Sequence, residues 1–309
     1  MCLCKQFHLH LSDFKLLNVN HTHLWVPYLK RWVFTLVAVV LCLTLLAGVV
    51  VYYNASLVNS SLNRKSLFVL SAPVAQPILS RVLPVFESKY GVEVHVSYGA
   101  SGSIFATLKL RNASVDLIIF ASEDWGGRAE AEGLVFNESK SVFAYQLAVV
   151  FVREGLQGIA CVDDLARPGL KIGIVNPKVA PIGYEALHYF NQSKSSEKIK
   201  SNVVYLAKDV GELVAVFKTG ALDAIVAWHV YYEQLRNISY VVYPWSCGYR
   251  YNIYGLVGYV AKASTQPELA QELLNFIVYS DVSKDVMKDL GYFTSVDEVL
   301  SYVSASFKG

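Results

Sequence analysis

The chain has 309 residues, 54% of them hydrophobic and 17% charged, with a formal net charge of +2. That balance excludes a disordered chain, and the length accommodates one membrane segment plus one or two globular units of ordinary size. A charge so near neutrality, with no basic run interleaved with aromatics, gives no case for nucleic acid as a partner.

Residues 1–31 read as a cytosolic tail. They hold Cys2, Cys4 and four of the seven histidines, His8, His10, His21 and His23. A metal site built from these side chains is one reading; a short disordered tail, or a misassigned start, is the simpler one. Residues 32–53 (WVFTLVAVVLCLTLLAGVVVYY) carry no charge. At a rise of about 1.5 Å per residue they extend roughly 33 Å, enough to cross a bilayer. Trp32 at one end and Tyr52 and Tyr53 at the other suit the two interfaces. The apolar core of a cleavable signal is shorter, about 7–15 residues, so the segment is predicted to be an uncleaved anchor. Leu45-Leu46-Ala47-Gly48-Val49 has Val49 where a lipoprotein signal places its acylated Cys, so no lipid anchor is predicted.

Lys30 and Arg31 abut the front of the segment, while Arg64 and Lys65 are the first basic residues behind it. The positive-inside bias then puts residues 54–309 outside, in a single-pass cell-membrane protein. Six of the eleven Asn residues beyond the span begin Asn-x-Ser sequons: Asn54, Asn59, Asn112, Asn137, Asn191 and Asn237. These are the glycosylation candidates. Of the five cysteines, Cys42 lies in the span and only Cys161 and Cys247 lie outside, able to form one disulfide.

Residues 54–65, rich in Asn and Ser, read as a tether. A strand is predicted at 67–70, then a helix from Val74 to Lys89 with Pro73 at its first position and Gly91 ending it. The alternation Val92-Glu93-Val94-His95-Val96 is a second strand, and a helix begins near Ile104. Residues 116–121 make a third strand and 125–132 a helix. A second unit repeats the pattern: strands at 148–152 and 170–175, a helix from about 182 to 191, a strand at 203–205 and a helix from Asp209 to Thr219. Its last strand is predicted at 224–227. The apolar run 252–260 and an amphipathic helix, 266–279, return to the first unit.

Strands alternating with helices argue for a parallel α/β sheet in each unit. The predicted organisation is one lobe of residues 66–145 with 250–309 and a second of residues 146–249, the chain crossing between them twice. That describes a hinged receptor with a cleft. Ligands of such sheets bind at the C-terminal ends of strands. Here those ends carry Ser71-Ala72, Gly99 to Ser103 and Ala121-Ser122. The stretch Ser97-Tyr98-Gly99-Ala100-Ser101-Gly102-Ser103 joins a strand to a helix N-terminus, where unpaired N–H groups and the helix dipole favour an anion. By itself it also reads as a capped turn, with Ser101 as N-cap.

Several runs, taken together, resemble the periplasmic molybdate-binding proteins of ABC transporters. They are Ser71-Ala72, Tyr98 to Ser103, Asp116 to Ser122 with Trp125, Asn176-Pro177 with Pro181-Ile182-Gly183-Tyr184-Glu185-Ala186-Leu187, and Phe217 to Ala224. The Asn-Pro…Pro-x-Gly-Tyr form is similar to the archaeal tungstate/molybdate-binding branch. The resemblance spans roughly residues 66–293. It implies a two-lobed type II periplasmic-binding-protein fold that grips a tetrahedral oxyanion with N–H groups and hydroxyls, without Lys or Arg. It implies no cofactor and no catalysis, with an ABC permease and ATPase as partners. The ligand-binding candidates it gives are Ser71, Ala72, Val74, Ser101, Gly102, Ile182 and Val210. The family's first-loop Ser falls at Val74, and the two carboxylates of the archaeal branch fall at Ala180 and Ala227. Their joint absence points to plain tetrahedral binding. His229, beside the second of these positions, is a further ligand candidate.

The expected function is an extracytoplasmic receptor for molybdate or tungstate. The alternatives are the same fold serving sulfate, phosphate, ferric iron or an organic anion, a surface protein with a retired cleft, or a hydrolase using Ser101 with Asp223 and His229.

Overall fold

In the computed structural model the described residues are 26–62, 65–110 and 114–307; side chains of the first helix are described at Trp32 and from Thr35 to Tyr52. The chain separates into two units between Asn63 and Arg64. The first contains helix α1, Val26–Leu62. Its stretch Thr35–Tyr52 has a mean hydropathy of 2.6 and no buried residue, so by length and composition it can cross a membrane. The tail up to residue 25 lies outside the described residues. The expected tether instead continues the helix through Leu62. Once nucleated, a helix gains a hydrogen bond for each residue added, and that outweighs the weak propensity of Asn and Ser.

The second unit holds two five-stranded sheets. Its first half runs β1 Ser66–Ser71, α2 Gln76–Tyr90, β2 Glu93–Tyr98, α3 Ser101–Lys109, β3 Leu117–Phe120, α4 Glu123–Ala131 and β4 Ser141–Gln146. The middle runs β5 Ala148–Arg153, β6 Ile172–Val175, α5 Pro181–Gln192, α6 Ser196–Ser201, β7 Val203–Ala207, α7 Val210–Lys218, β8 Ala224–Trp228, α8 Tyr232–Leu235 and β9 Ser239–Val242. The chain closes with β10 Tyr254–Val260, α9 Pro267–Tyr279, α10 Asp281–Asp289 and α11 Val296–Ser306.

The strand orders are β2-β1-β3-β10-β4 and β7-β6-β8-β5-β9. The first three strands of each are parallel, as the alternating pattern predicts. The fourth strand of each sheet is antiparallel to both neighbours, so the sheets are mixed, which corrects the all-parallel expectation. The reason is connectivity. Only Leu147 separates β4 in one sheet from β5 in the other, and β10 returns from the second sheet, so each inserted strand enters from the opposite end. Strand β8 is also not the last of the second sheet, since β9 follows and pairs with β5.

Helices cover both faces of the central strands, and β3, β6, β8 and β10 are buried at every position. Burial on both faces selects unbroken apolar runs. The edge strand β2 alternates in exposure instead. Gly91 ends α2 at φ 65°, a left-handed cap that residues with a Cβ adopt poorly. In the second sheet's lobe, Cys161 and Cys247 form a disulfide with a Cα–Cα distance of 6.0 Å.

Candidate functional site

The C-terminal ends of β1, β6 and β7 lead into helical turns that meet where the two lobes touch, together with the start of α3. A small cavity lies there. From the first lobe Ala72, Pro73, Val74, Ala100, Ser101 and Ala121 line it. From the second come Ala180, Pro181, Ile182, Asp209, Val210 and Trp228. The volume open to the centre of a water-sized sphere is about 20 Å³, room for a single small ligand.

The walls are apolar but the backbone is not. The first N–H groups of a helix have no intrahelical acceptor, and the dipole makes that end positive. No acceptor among the described residues meets the N–H groups of Val74, Ser101, Ile182 or Val210. No Lys or Arg among the described residues lines the cavity. Ser101 is not the N-cap expected for it. Ala100 occupies that place and Ser101 is the first helical residue. Its buried hydroxyl accepts the Ala121 N–H at 3.1 Å. Among the described residues nothing accepts its own proton. Asp209 caps α7, with Oδ1 accepting the Glu212 N–H at 2.9 Å.

Of the predicted ligand residues, Ala72, Val74, Ser101, Ile182 and Val210 come together around this cavity, whereas Ser71, Gly102 and His229 do not line it. Ser71 is buried and donates to the Ala72 carbonyl at 3.2 Å. The Gly102 N–H crosses between lobes to the Val179 carbonyl at 2.8 Å. A Cβ on Gly102 would stand 2.9 Å from the Trp125 ring and 2.9 Å from Val179 Cα, so only Gly permits this approach. His229 sits at the crossover. Its Nδ1 accepts the Leu147 N–H at 3.2 Å, its Nε2 donates to the Gly291 carbonyl at 3.0 Å, and its ring stacks on Phe293 at 4.5 Å. Burial pushes its pKa down to about 4, against the opposing pull of the hydrogen bond to the Gly291 carbonyl.

Of the two positions that lack carboxylates, Ala180 lines the cavity; Ala227 lies in β8 and Trp228 lines it instead. Trp228 and Asp209 had no motif to mark them as walls. Their place at a strand end and at a helix start was the available signal. Glu185, one turn along α5, fixes the returning chain. It accepts the Asn252 N–H at 3.0 Å, Asn252 Nδ2 at 2.7 Å and the Tyr254 hydroxyl at 2.8 Å. Burial, then the Glu185 charge, raise the Tyr254 pKa.

Residues 67–293 match the family described as bacterial extracellular solute-binding protein. The chain belongs to that family. Among curated proteins, this solute-binding protein is 24% identical over 179 residues to a Haemophilus influenzae protein described as a binding protein, covering 56% of this chain and 72% of that one. Among solved structures it is similar to the periplasmic molybdate-binding protein of Azotobacter vinelandii, at 20% identity and a TM-score of 0.63, covering 74% and 99% of the two chains. It is also similar to the sulfate-binding protein of Mycobacterium tuberculosis, at 21% identity and 0.65, covering 79% and 92%. A periplasmic thiamin-binding protein matches at 16% identity and 0.65, covering 75% and 84%. These likenesses establish the two-sheet binding-protein fold. The solute-binding protein does not assemble a triad of Ser101, His229 and Asp223. His229 is held by Leu147 and Gly291, and Asp223 Oδ2 accepts the Lys171 N–H at 2.8 Å.

Proposed function

We propose that the protein is a membrane-anchored, extracytoplasmic receptor that binds molybdate or tungstate in the interlobe cavity and delivers it to an ABC permease and ATPase. The observation that carries this reading is that four helix starts whose N–H groups are unpaired, together with Ser101, line one cavity without a cation among the described residues. A desolvated dianion needs several aimed donors, and helix starts supply them pre-oriented. The small volume supports a tetrahedral inorganic anion over a two-ring cation such as thiamin. An alanine rather than a carboxylate at 180 supports a four-coordinate ligand. The apolar helix α1 supports the anchor, and exposure of Asn137, Asn191 and Asn237 supports glycosylation there; Asn112 and the side chains of Asn54 and Asn59 lie outside the described residues. The lobe boundaries near residues 145 and 250 are part of the proposal, as hinges for closure over the ligand.

A second reading, hydrogen phosphate, rests on Asp209, an acidic residue in the cavity wall able to accept the proton that molybdate lacks. Thermal unfolding of residues 64–309, which contain both hydrophobic cores, separates the two. The expected result is stabilisation by molybdate and tungstate beyond that by phosphate, through binding to the folded state. An equal response to all anions would sink the ligand assignment.

A further inference from the structure

Beside the anion cavity a second pocket opens between the lobes, sharing Ala180 and Pro181 with it as a wall. Its volume on the same measure is about 280 Å³, and its character is different. Ser122, Trp125 and Arg128 line it from the first lobe and Lys178 and Tyr184 from the second.

The Ser122 side chain is 2% exposed, and its hydroxyl has no hydrogen-bond partner among the described residues. It stands at the N-cap of α4, but its side chain makes no capping hydrogen bond. An unpaired buried hydroxyl is unfavourable, so a partner from outside the chain accounts for its retention. Arg128 lies over the Trp125 ring at 4.4 Å, which holds its guanidinium at the pocket wall. Neither Arg128 nor Lys178 forms an ion pair among the described residues. Asp124 is the one acidic side chain lining the pocket among those residues, and neighbouring Glu123 is turned to Lys140 at 3.3 Å. Two cationic residues, the buried Ser122 and Tyr184 therefore share the pocket wall with a single acidic residue.

We propose that this pocket is a second anion subsite that takes a carboxylate beside the tetrahedral anion. A guanidinium presents a planar fork of donors that matches the two oxygens of a carboxylate. The inference rests on the oxyanion reading of the smaller cavity. The carboxylate comes either as part of the same ligand or as a free anion bound next to an inorganic one.

Calorimetric titration of the full chain in detergent micelles tests this. Sulfoacetate and phosphoglycolate carry a tetrahedral head and a carboxylate; methanesulfonate and methyl phosphate carry the head alone. The carboxylate adds a charge-assisted hydrogen bond, so the ligands that bear it bind roughly tenfold tighter or more than their methyl counterparts. Arg128→Ala, Lys178→Ala and Ser122→Ala each shrink that ratio and leave sulfate and molybdate affinity within about twofold, while Ser101→Ala weakens every ligand. If the carboxylate is free, acetate tightens molybdate binding in the wild type and not in Arg128→Ala. The subsite is overturned, with the oxyanion reading intact, if the ratio is near one and acetate has no effect, or if Arg128→Ala and Lys178→Ala weaken inorganic anions just as strongly. Failure of every anion to bind overturns both.

Discussion

Replacing Gly102 by Ala adds one methyl group where the lobes touch. The new Cβ would sit 2.9 Å from Val179 Cα and 3.0 Å from the Val179 carbonyl oxygen. Neither is a flexible side-chain end, and ordinary contact needs roughly 0.5–1 Å more. Gly102 is the second residue of α3, where Ala is favoured by up to about 1 kcal/mol, while within the same lobe the Cβ meets the Trp125 ring at 2.9 Å and that ring end must shift. The strain against Val179 falls on closure. Separating the lobes there breaks the 2.8 Å Gly102–Val179 hydrogen bond, a loss of about 1 kcal/mol. It also moves the Ser101 donors away from those of Ile182 and Val210, lengthening at least one charge-assisted hydrogen bond worth about 1.5–3 kcal/mol. The sum is a loss of roughly 2–4 kcal/mol, or about 30- to 1,000-fold in Kd. Calorimetry on Gly102→Ala with the tightest-binding oxyanion measures it, and the melting temperature of the ligand-free protein serves as the control. Wild-type affinity in this variant would refute the claim that the ligand is held by donors from both lobes.

Ser101→Ala removes both the acceptor for the Ala121 N–H and a hydroxyl proton donor in the cavity; a loss of about 1 kcal/mol of stability and about tenfold in affinity is expected from urea unfolding and calorimetry. Asp209→Asn keeps a residue that caps α7 and removes a negative charge beside the dianion, so molybdate binds several-fold tighter while hydrogen phosphate does not gain. His229 is depressed from 6.5 to about 4 in the fold, so between those values the unfolded chain binds the extra proton. Stability from this residue is complete above pH 6.5 and is lost as pH falls towards 4, the loss amounting to about 2–3 kcal/mol by pH 4.5. His229→Gln flattens the wild-type fall in unfolding free energy over that window. Reducing Cys161–Cys247, 86 residues apart, frees a long loop in the unfolded chain and lowers stability by up to about 4–5 kcal/mol on the loop-entropy view, read as a drop in melting temperature with dithiothreitol.

The chain's sequence discloses what local chemistry decides. Leu117 to Phe120 and Ile172 to Val175 are apolar throughout because both their faces are covered, and Gly91 and Pro73 mark helix ends by their own backbone limits. Four of the helix starts around the cavity were legible for the same reason. What escaped depends on residues far along the chain. Strands β4 and β9 mix polar and apolar side chains, and their pairing is set by β10 and β5. Ser101 reads as a cap until the Ala121 N–H, on a different strand, claims its hydroxyl. Gly102 reads as a ligand donor until Val179 of the other lobe takes its N–H. His229 reads as a site residue because Phe293 and Gly291, which enclose it, arrive only with the returning chain. Interlobe geometry leaves no periodicity in either partner.

The central claim is that an oxyanion sits between the starts of four helical turns. Crystals of residues 64–309 grown with tungstate, measured at the tungsten absorption edge, locate the metal directly. The account predicts one anomalous peak bounded by Val74, Ser101, Ile182 and Val210, with anion oxygens about 2.7–3.1 Å from their backbone nitrogens. A peak elsewhere, or none at saturating tungstate, would contradict it.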